Sequence, residues 1–279
     1  MTALETTVGR TRRARRRTSA TFLVLVRRGL RDRRRAPLTW GGSLGAFAAL
    51  IVGIWPSVQG SISKAVATYP EALKQAFGIE RLDTVEAYLQ GEVFSLILPL
   101  ATAFLGVRIV ATAVSDAEER GYLDTLLAAP VSRRALVAGA YAVVGVVSAT
   151  VLLIVSAAAW LTSILAGSDL ALGSMLMGCA SVWSLAMLAA GFAAFAAGGM
   201  RRAAAVTGVT MSILVAMYTL DVVGRIADGL GSLRWASAFK YYGAAVRDGL
   251  DPLAFAGLIV AGGACAAAGA ALFDRRDIR

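Results

Sequence analysis

ALVAGAYAVVGVVSATVLLIVSAAAWLTSILA, residues 135–166, carries no charged side chain over its whole length. A helix rises 1.5 Å per residue, so ~20 apolar residues cross a hydrocarbon core of about 30 Å. This run exceeds that length and has room to tilt or to project beyond the bilayer. Working outward, five more runs meet the same test: Leu38–Val58, Glu92–Val114, Ala171–Gly199, Ala203–Leu220 and Pro252–Phe273. All are too long and too continuously apolar for barrel strands. Composition agrees, because 57% of the 279 residues are hydrophobic and 16% are charged, against about a quarter charged in soluble domains. The expected fold is an all-α membrane protein with six transmembrane helices.

Lys and Arg set the expected orientation. Twelve arginines lie between Arg10 and Arg35, and Arg120, Arg133, Arg134, Arg201, Arg202, Arg275, Arg276 and Arg279 fall on the same side of a six-span chain. Lys64, Lys74, Arg81, Arg225, Arg234, Lys240 and Arg247 fall on the other side. Both termini are therefore expected in the cytoplasm. The net charge of +10 sits mostly in that N-terminal block. It reads as a topogenic signal and an anionic-lipid contact, not as a nucleic-acid surface. The apolar run Phe22–Val26 is too short for a signal-peptide core and is interrupted at once by Arg27 and Arg28. Thr18–Arg35 reads instead as an amphipathic helix along the cytoplasmic face.

Three units follow: a basic N-terminus with its interfacial helix (1–36), a six-helix transmembrane domain (37–273) and a short cytoplasmic tail (274–279). Cys179 and Cys265 both fall within spans, where small residues serve as packing, and nothing argues for a disulfide. The sequence holds no histidine, which removes His-based catalysis and His metal sites, and no metal or catalytic residues are assigned.

Between spans, Thr68-Tyr69-Pro70-Glu71 matches a capping box ahead of a short external helix ending at Gly78. A second external segment, Asp221–Leu250, mixes Trp235, Phe239, Tyr241 and Tyr242 with Arg234, Lys240 and Arg247, a blend suited to the headgroup layer. Asp251-Pro252 supplies a cap and a first-turn proline to the last span. Tyr88 and Phe94 approach the outer interface, while Glu92 and Asp221 read as interfacial charges. Gly41–Gly45 and Gly262–Ala266 read as helix-packing seams.

On the cytoplasmic side, Ser115 and Glu118 match another capping box, and Leu123, Leu126, Leu127 and Pro130 share one helical face. Such a helix lies across the inner membrane surface and offers its apolar face either to lipid or to a partner. The run Glu118-Glu119-Arg120-Gly121-Tyr122-Leu123-Asp124-Thr125-Leu126-Leu127-Ala128-Ala129-Pro130-Val131-Ser132-Arg133 resembles the coupling segment of type-2 ABC export permeases. Tyr122 stands where that family more often has Thr. The order of elements along nearly the whole chain is similar as well.

The resemblance implies that segment 115–134 docks in a cleft of a separate nucleotide-binding subunit. Glu118, Glu119, Arg120, Gly121 and Arg133 would make contacts there, with Leu123, Leu126, Leu127 and Pro130 as the buried face. The chain has no Gly-x-x-x-x-Gly-Lys-[Ser/Thr], so ATP and Mg are expected on that partner, with no cofactor bound by this chain. A second permease copy or a paralogue is expected to complete the pathway in a bacterial inner membrane.

On the same resemblance, Phe94, Phe104, Met211, Met217 and Tyr218, from the second and fifth spans, are candidates to line an apolar pathway. Arg108, the one basic residue within a span, is a pathway candidate with them, and snorkelling or a structural pairing is its simpler reading. A hydrophobic or amphipathic cargo (a drug, antibiotic or lipid) is expected. An ion-coupled secondary transporter or channel is the rival class, but it would ordinarily need ionisable residues mid-membrane. A membrane enzyme finds no catalytic constellation to support it.

Overall fold

The computed structural model describes residues 22–68, 84–116, 132–227 and 229–275. The described part of α1 covers residues 22–32. A turn follows, closed by Ala36 N–H donating to Arg33 O at 2.9 Å, and it leads into α2 (Ala36–Thr68). Then come α3 (Val85–Leu89), a π-helical turn Gln90–Phe94, α4 (Ile97–Ala111) and a second π-helical turn Thr112–Asp116. The chain continues as α5 (Arg133–Ala166), α6 (Leu172–Gly199) and α7 (Ala203–Ile226). A 3₁₀ turn Gly231–Ala236 and two short helices, α8 (Ala238–Tyr242) and α9 (Ala245–Asp248), precede α10 (Pro252–Asp274).

Six of these helices are long and apolar enough to cross a membrane, and no strand occurs among the described residues. The protein is an all-α membrane protein. α5, 34 residues long, measures about 51 Å at 1.5 Å per residue and so outreaches the hydrocarbon core.

The long helices start and stop where side chains satisfy their end groups. Ser132 accepts from Ala135 N–H at 3.2 Å to open α5, and Gly167 closes it in the left-handed conformation at φ 66°. Asp251 accepts from Leu253 and Ala254 N–H at 2.9 and 3.2 Å, with Pro252 in the first turn of α10. Some boundaries depart from the hydropathy reading: α2 runs on to Thr68 rather than Val58, and α7 to Ile226 rather than Leu220. The second span begins at Ile97, not at Glu92, because Leu96 leaves helical geometry (φ −140°, ψ −55°). Glu92 stays exposed in the π-helical turn before it.

α6 is the central post, buried over most of its length. It meets α10 along a seam of small residues. A Cβ on Gly191 would stand 2.2 Å from Gly262 O, and one on Gly269 would stand 2.3 Å from Ala194 O. Backbones this close exclude any side chain, and dispersion between them replaces the hydrophobic drive that lipid does not provide. α2 packs on α5 the same way, with Gly41 against Ile154 and Gly45 against Ala158. α4 lies against α6, with α7 beside it. Two apolar clusters fill the interior, one toward the arginine-rich end and one toward the other.

Candidate coupling and translocation site

The segment that the sequence marks for coupling lies mostly outside the described residues, including Glu118, Glu119, Arg120, Gly121, Leu123, Leu126, Leu127 and Pro130. Its flanks are described, and both are tied to other helices. On one side, Ser115 is fully buried and its Oγ donates to Met200 O at 3.3 Å, in the connection between α6 and α7. On the other side, Arg133 Nη1 donates to Phe273 O at 2.8 Å, and its guanidinium stands 5.5 Å from the centre of the Phe273 ring. Arg134 pairs with Asp274. The residues bounding 117–131 therefore touch the connection between α6 and α7 and the end of α10, while following on from α4 and opening α5.

The second candidate region is a face of α4. Ile97, Ala101, Phe104, Arg108 and Thr112 recur at helical spacing, and each is half-buried or exposed while the rest of the helix is largely buried. Phe104 tilts against Trp40 of α2, with ring centres 6.1 Å apart. Arg108 is exposed on this face, and its side chain has no ion pair among the described residues. The structural pairing considered for it is therefore not found there.

Phe94 is not brought to this face. Its side chain is fully buried beside Gly178, and its carbonyl accepts from Tyr242 Oη at 2.7 Å. On α7, Met211 packs against the cluster at the arginine-rich end, whereas Met217 and Tyr218 pack against the other cluster. Tyr218 meets Phe239 edge-to-face at 5.3 Å. Met217 O accepts from Ser237 Oγ at 2.6 Å. Met217 and Tyr218 thus lie beneath α8, while Phe104 and Arg108 lie on the uncovered side of α4.

A family model described as the C-terminal domain of the multidrug efflux system permease Rv1217c matches residues 29–274. The chain belongs to that family. It is a permease, the membrane component of a transport system. No curated protein sequence matches it.

Two features of this permease were not anticipated in its sequence. Asp221, which the sequence reads as an interfacial charge, is a buried one. Its side chain is 1% exposed, and it pairs with Arg225 and with Arg234, whose Nε donates at 2.9 Å. The i, i+4 spacing of Asp221 and Arg225 at the end of an apolar run was the available signal. The second feature is a division within the aromatic group of residues 235–242. Trp235 is 66% exposed beneath the Lys240 ammonium, and Tyr241 is exposed too, whereas Phe239 and Tyr242 are buried. α8 and α9 are set into the bundle. Ser181 Oγ donates to Tyr242 O at 2.7 Å, and Val246 occupies the space that a side chain on Gly178 would need.

Proposed function

We propose that this permease is the transmembrane subunit of an ATP-driven exporter. It forms half of a translocation pathway and is moved by a separate nucleotide-binding subunit. The observation that carries the reading is the double tether of the coupling segment. A push on residues 117–131 reaches α4 and α5 directly through the chain. It reaches α6, α7 and α10 through Ser115, Arg133 and Arg134. An ordinary lipid-facing helix needs no such bracing, whereas a lever does. The family match supports the transport half of the proposal.

A second copy or a paralogue completes the pathway against the uncovered face of α4, where Phe104 offers an aromatic surface and Arg108 a cation. Phe104 and its apolar neighbours suit a hydrophobic or amphipathic cargo, and binding there is governed by apolar area with a few polar groups for orientation. ATP and Mg are held by the partner. The arginine-rich end faces the cytoplasm of a bacterial inner membrane, as the distribution of basic residues favours.

The test is to co-express the chain with an ATPase subunit encoded beside it, purify the pair in mild detergent and measure hydrolysis with and without amphiphiles. A Glu119→Ala, Leu126→Asp variant is run in parallel. Association and stimulated hydrolysis that the variant loses support the reading. A well-folded permease that neither associates nor stimulates hydrolysis overturns it.

A further inference from the structure

Where α1 lies over the arginine-rich ends of α4 and α5, a cleft of about 210 Å³ remains open. Its walls are mostly apolar: Leu25 from α1, Ile109 from α4, and Leu136 and Val143 from α5. Arg28, Asp32 and Arg33 stand along α1 and the turn after it, facing Thr112 across the opening. Next to the cleft α1 presses hard on α5. A Cβ on Gly29 would come within 2.8 Å of Val143, and one on Gly139 within 3.3 Å of Leu25.

The charge balance in this cleft is incomplete. Arg33 Nη2 donates to Thr112 Oγ1 at 2.7 Å and to Ile109 O at 3.3 Å, both neutral acceptors. The nearby acid, Asp32, stands 4.0 Å from Arg28, and both side chains are more than 60% exposed, so that pairing is weak. Burial pulls the Arg33 guanidinium below its ordinary pKa, with Asp32 opposing the shift. A half-buried cation with donors to spare and, among the described residues, no carboxylate in contact is a site for an anion. Arg27, Arg31 and Arg34 add positive field around it.

Size and position narrow the anion. At about 210 Å³ the cleft is smaller than the roughly 300 Å³ at which pockets for drug-sized ligands begin, so it holds part of a molecule, an anionic headgroup with the first carbons of a chain. Arg33 lies three residues before Ala36, where the first span starts, and a site just outside a span falls where lipid headgroups meet acyl chains. The cleft's apolar walls run from that level toward the bundle.

We propose that this cleft binds an anionic phospholipid, with the phosphate between Arg28 and Arg33 and the upper acyl chain against Leu25, Leu136 and Val143. The lipid supplies the anion that Arg33 lacks and fills apolar space that water would occupy poorly. It also lies against Thr112, the first residue of the π-helical turn that leads into the coupling segment. The proposal does not depend on the ATPase partner.

The test uses the full chain, delipidated in mild detergent at 0.15 M salt, where charges beyond about 8 Å are screened. Phosphatidylglycerol, phosphatidylcholine and glycerol 3-phosphate are titrated, and bound adducts are counted by native mass spectrometry. Phosphatidylglycerol is expected to bind at the lowest concentration. Arg28→Gln should weaken it about fivefold, the effect of one basic residue beside an anionic headgroup. Arg33→Gln should weaken it further, and Arg35→Gln, an exposed arginine outside the cleft, should leave it unchanged. If Arg33→Gln does not fold, Arg28→Gln and the cleft-filling Ala113→Leu decide the matter, and both must weaken binding. Equal retention of phosphatidylcholine, equal loss in Arg35→Gln, or full competition by glycerol 3-phosphate overturns the proposal.

Discussion

Arg133 grips Phe273 at two points, its Nη1 on the carbonyl at 2.8 Å and its guanidinium 5.5 Å from the ring centre. The first residue of α5 is thereby fixed to the last turn of α10, although 140 positions separate them. A carbonyl near a helix C-terminus welcomes a cation, and the ring face adds to the attraction. Arg133→Gln should lower stability by about 1–2 kcal/mol, the scale of one charge-assisted bond plus a partly exposed cation–π contact. If coupling passes through this grip, amphiphile-stimulated ATPase of the assembled transporter falls by more than the loss of folded protein explains. Equal losses in activity and folded fraction would reduce Arg133 to a structural clamp.

Asp221 serves two arginines, so its removal costs more than the removal of either. Asp221→Asn leaves Arg225 and Arg234 facing each other without the carboxylate. Their side chains are 41% and 33% exposed, so water relieves part of the cost, and about 2–3 kcal/mol is expected. Arg234→Gln keeps the Arg225 pair and should cost about 1 kcal/mol. Thermal unfolding in detergent checks the order, and a larger effect for Arg234→Gln would contradict it.

Tyr242→Phe removes the donor to Phe94 O while keeping the ring. Both partners are buried, so the carbonyl loses its side-chain partner away from water, at a cost of about 1–3 kcal/mol. Because that bond holds α8 to the turn before α4, hydrogen exchange should rise in residues 238–248 and 90–96. It should stay unchanged near Arg133.

Gly269→Val drives a side chain into Ala194 O, which a Cβ would already approach to 2.3 Å. The backbone cannot yield as a flexible side chain would, so α10 must part from α6. A loss of about 3 kcal/mol or failure to assemble is expected. Gly263→Val, at a position with open space around it, is the control and should be nearly silent.

Phe104→Ala and Arg108→Gln test the uncovered face of α4. Neither should destabilise the single chain by more than about 1 kcal/mol, since each is only partly covered. In a reconstituted transporter, Phe104→Ala should raise KM for an apolar cargo severalfold with a smaller change in kcat. Arg108→Gln should alter the preference between cationic and anionic amphiphiles. Unchanged kinetics in both variants would remove this face from the pathway.

The spans and the small-residue seams were legible in the sequence because hydropathy and residue size are local properties. The run 135–166 needed no context to be read as a helix, nor did Asp251-Pro252 as the cap and first turn of α10. The start of α4 was not legible. It depends on the backbone angles of Leu96 and on a tyrosine 148 positions beyond Phe94. Phe239, Tyr241 and Tyr242 have a composition that suits a wet interface and a buried insert equally well. Three-dimensional context separates them: Ser237 anchored on α7, and Gly178 leaving room for Val246. Asp221 misled for a similar reason, because a lone acid at the end of a span shows nothing of an arginine thirteen residues later. Of the coupling residues, only Arg133 lies within the described structure, so the motif and its flanks inform each other without overlapping.

The two π-helical turns, Gln90–Phe94 and Thr112–Asp116, stand on either side of α4, the first set off from it by Ser95 and Leu96. Each such turn holds one residue more than an α-helical turn would. Handing that surplus from one end to the other would spin the helix by about 100° while its ends stayed nearly in place. α4 is thus built like an axle between two bearings. A one-residue shift of register at Thr112 turns Phe104 and Arg108 by the same angle, toward a different neighbour.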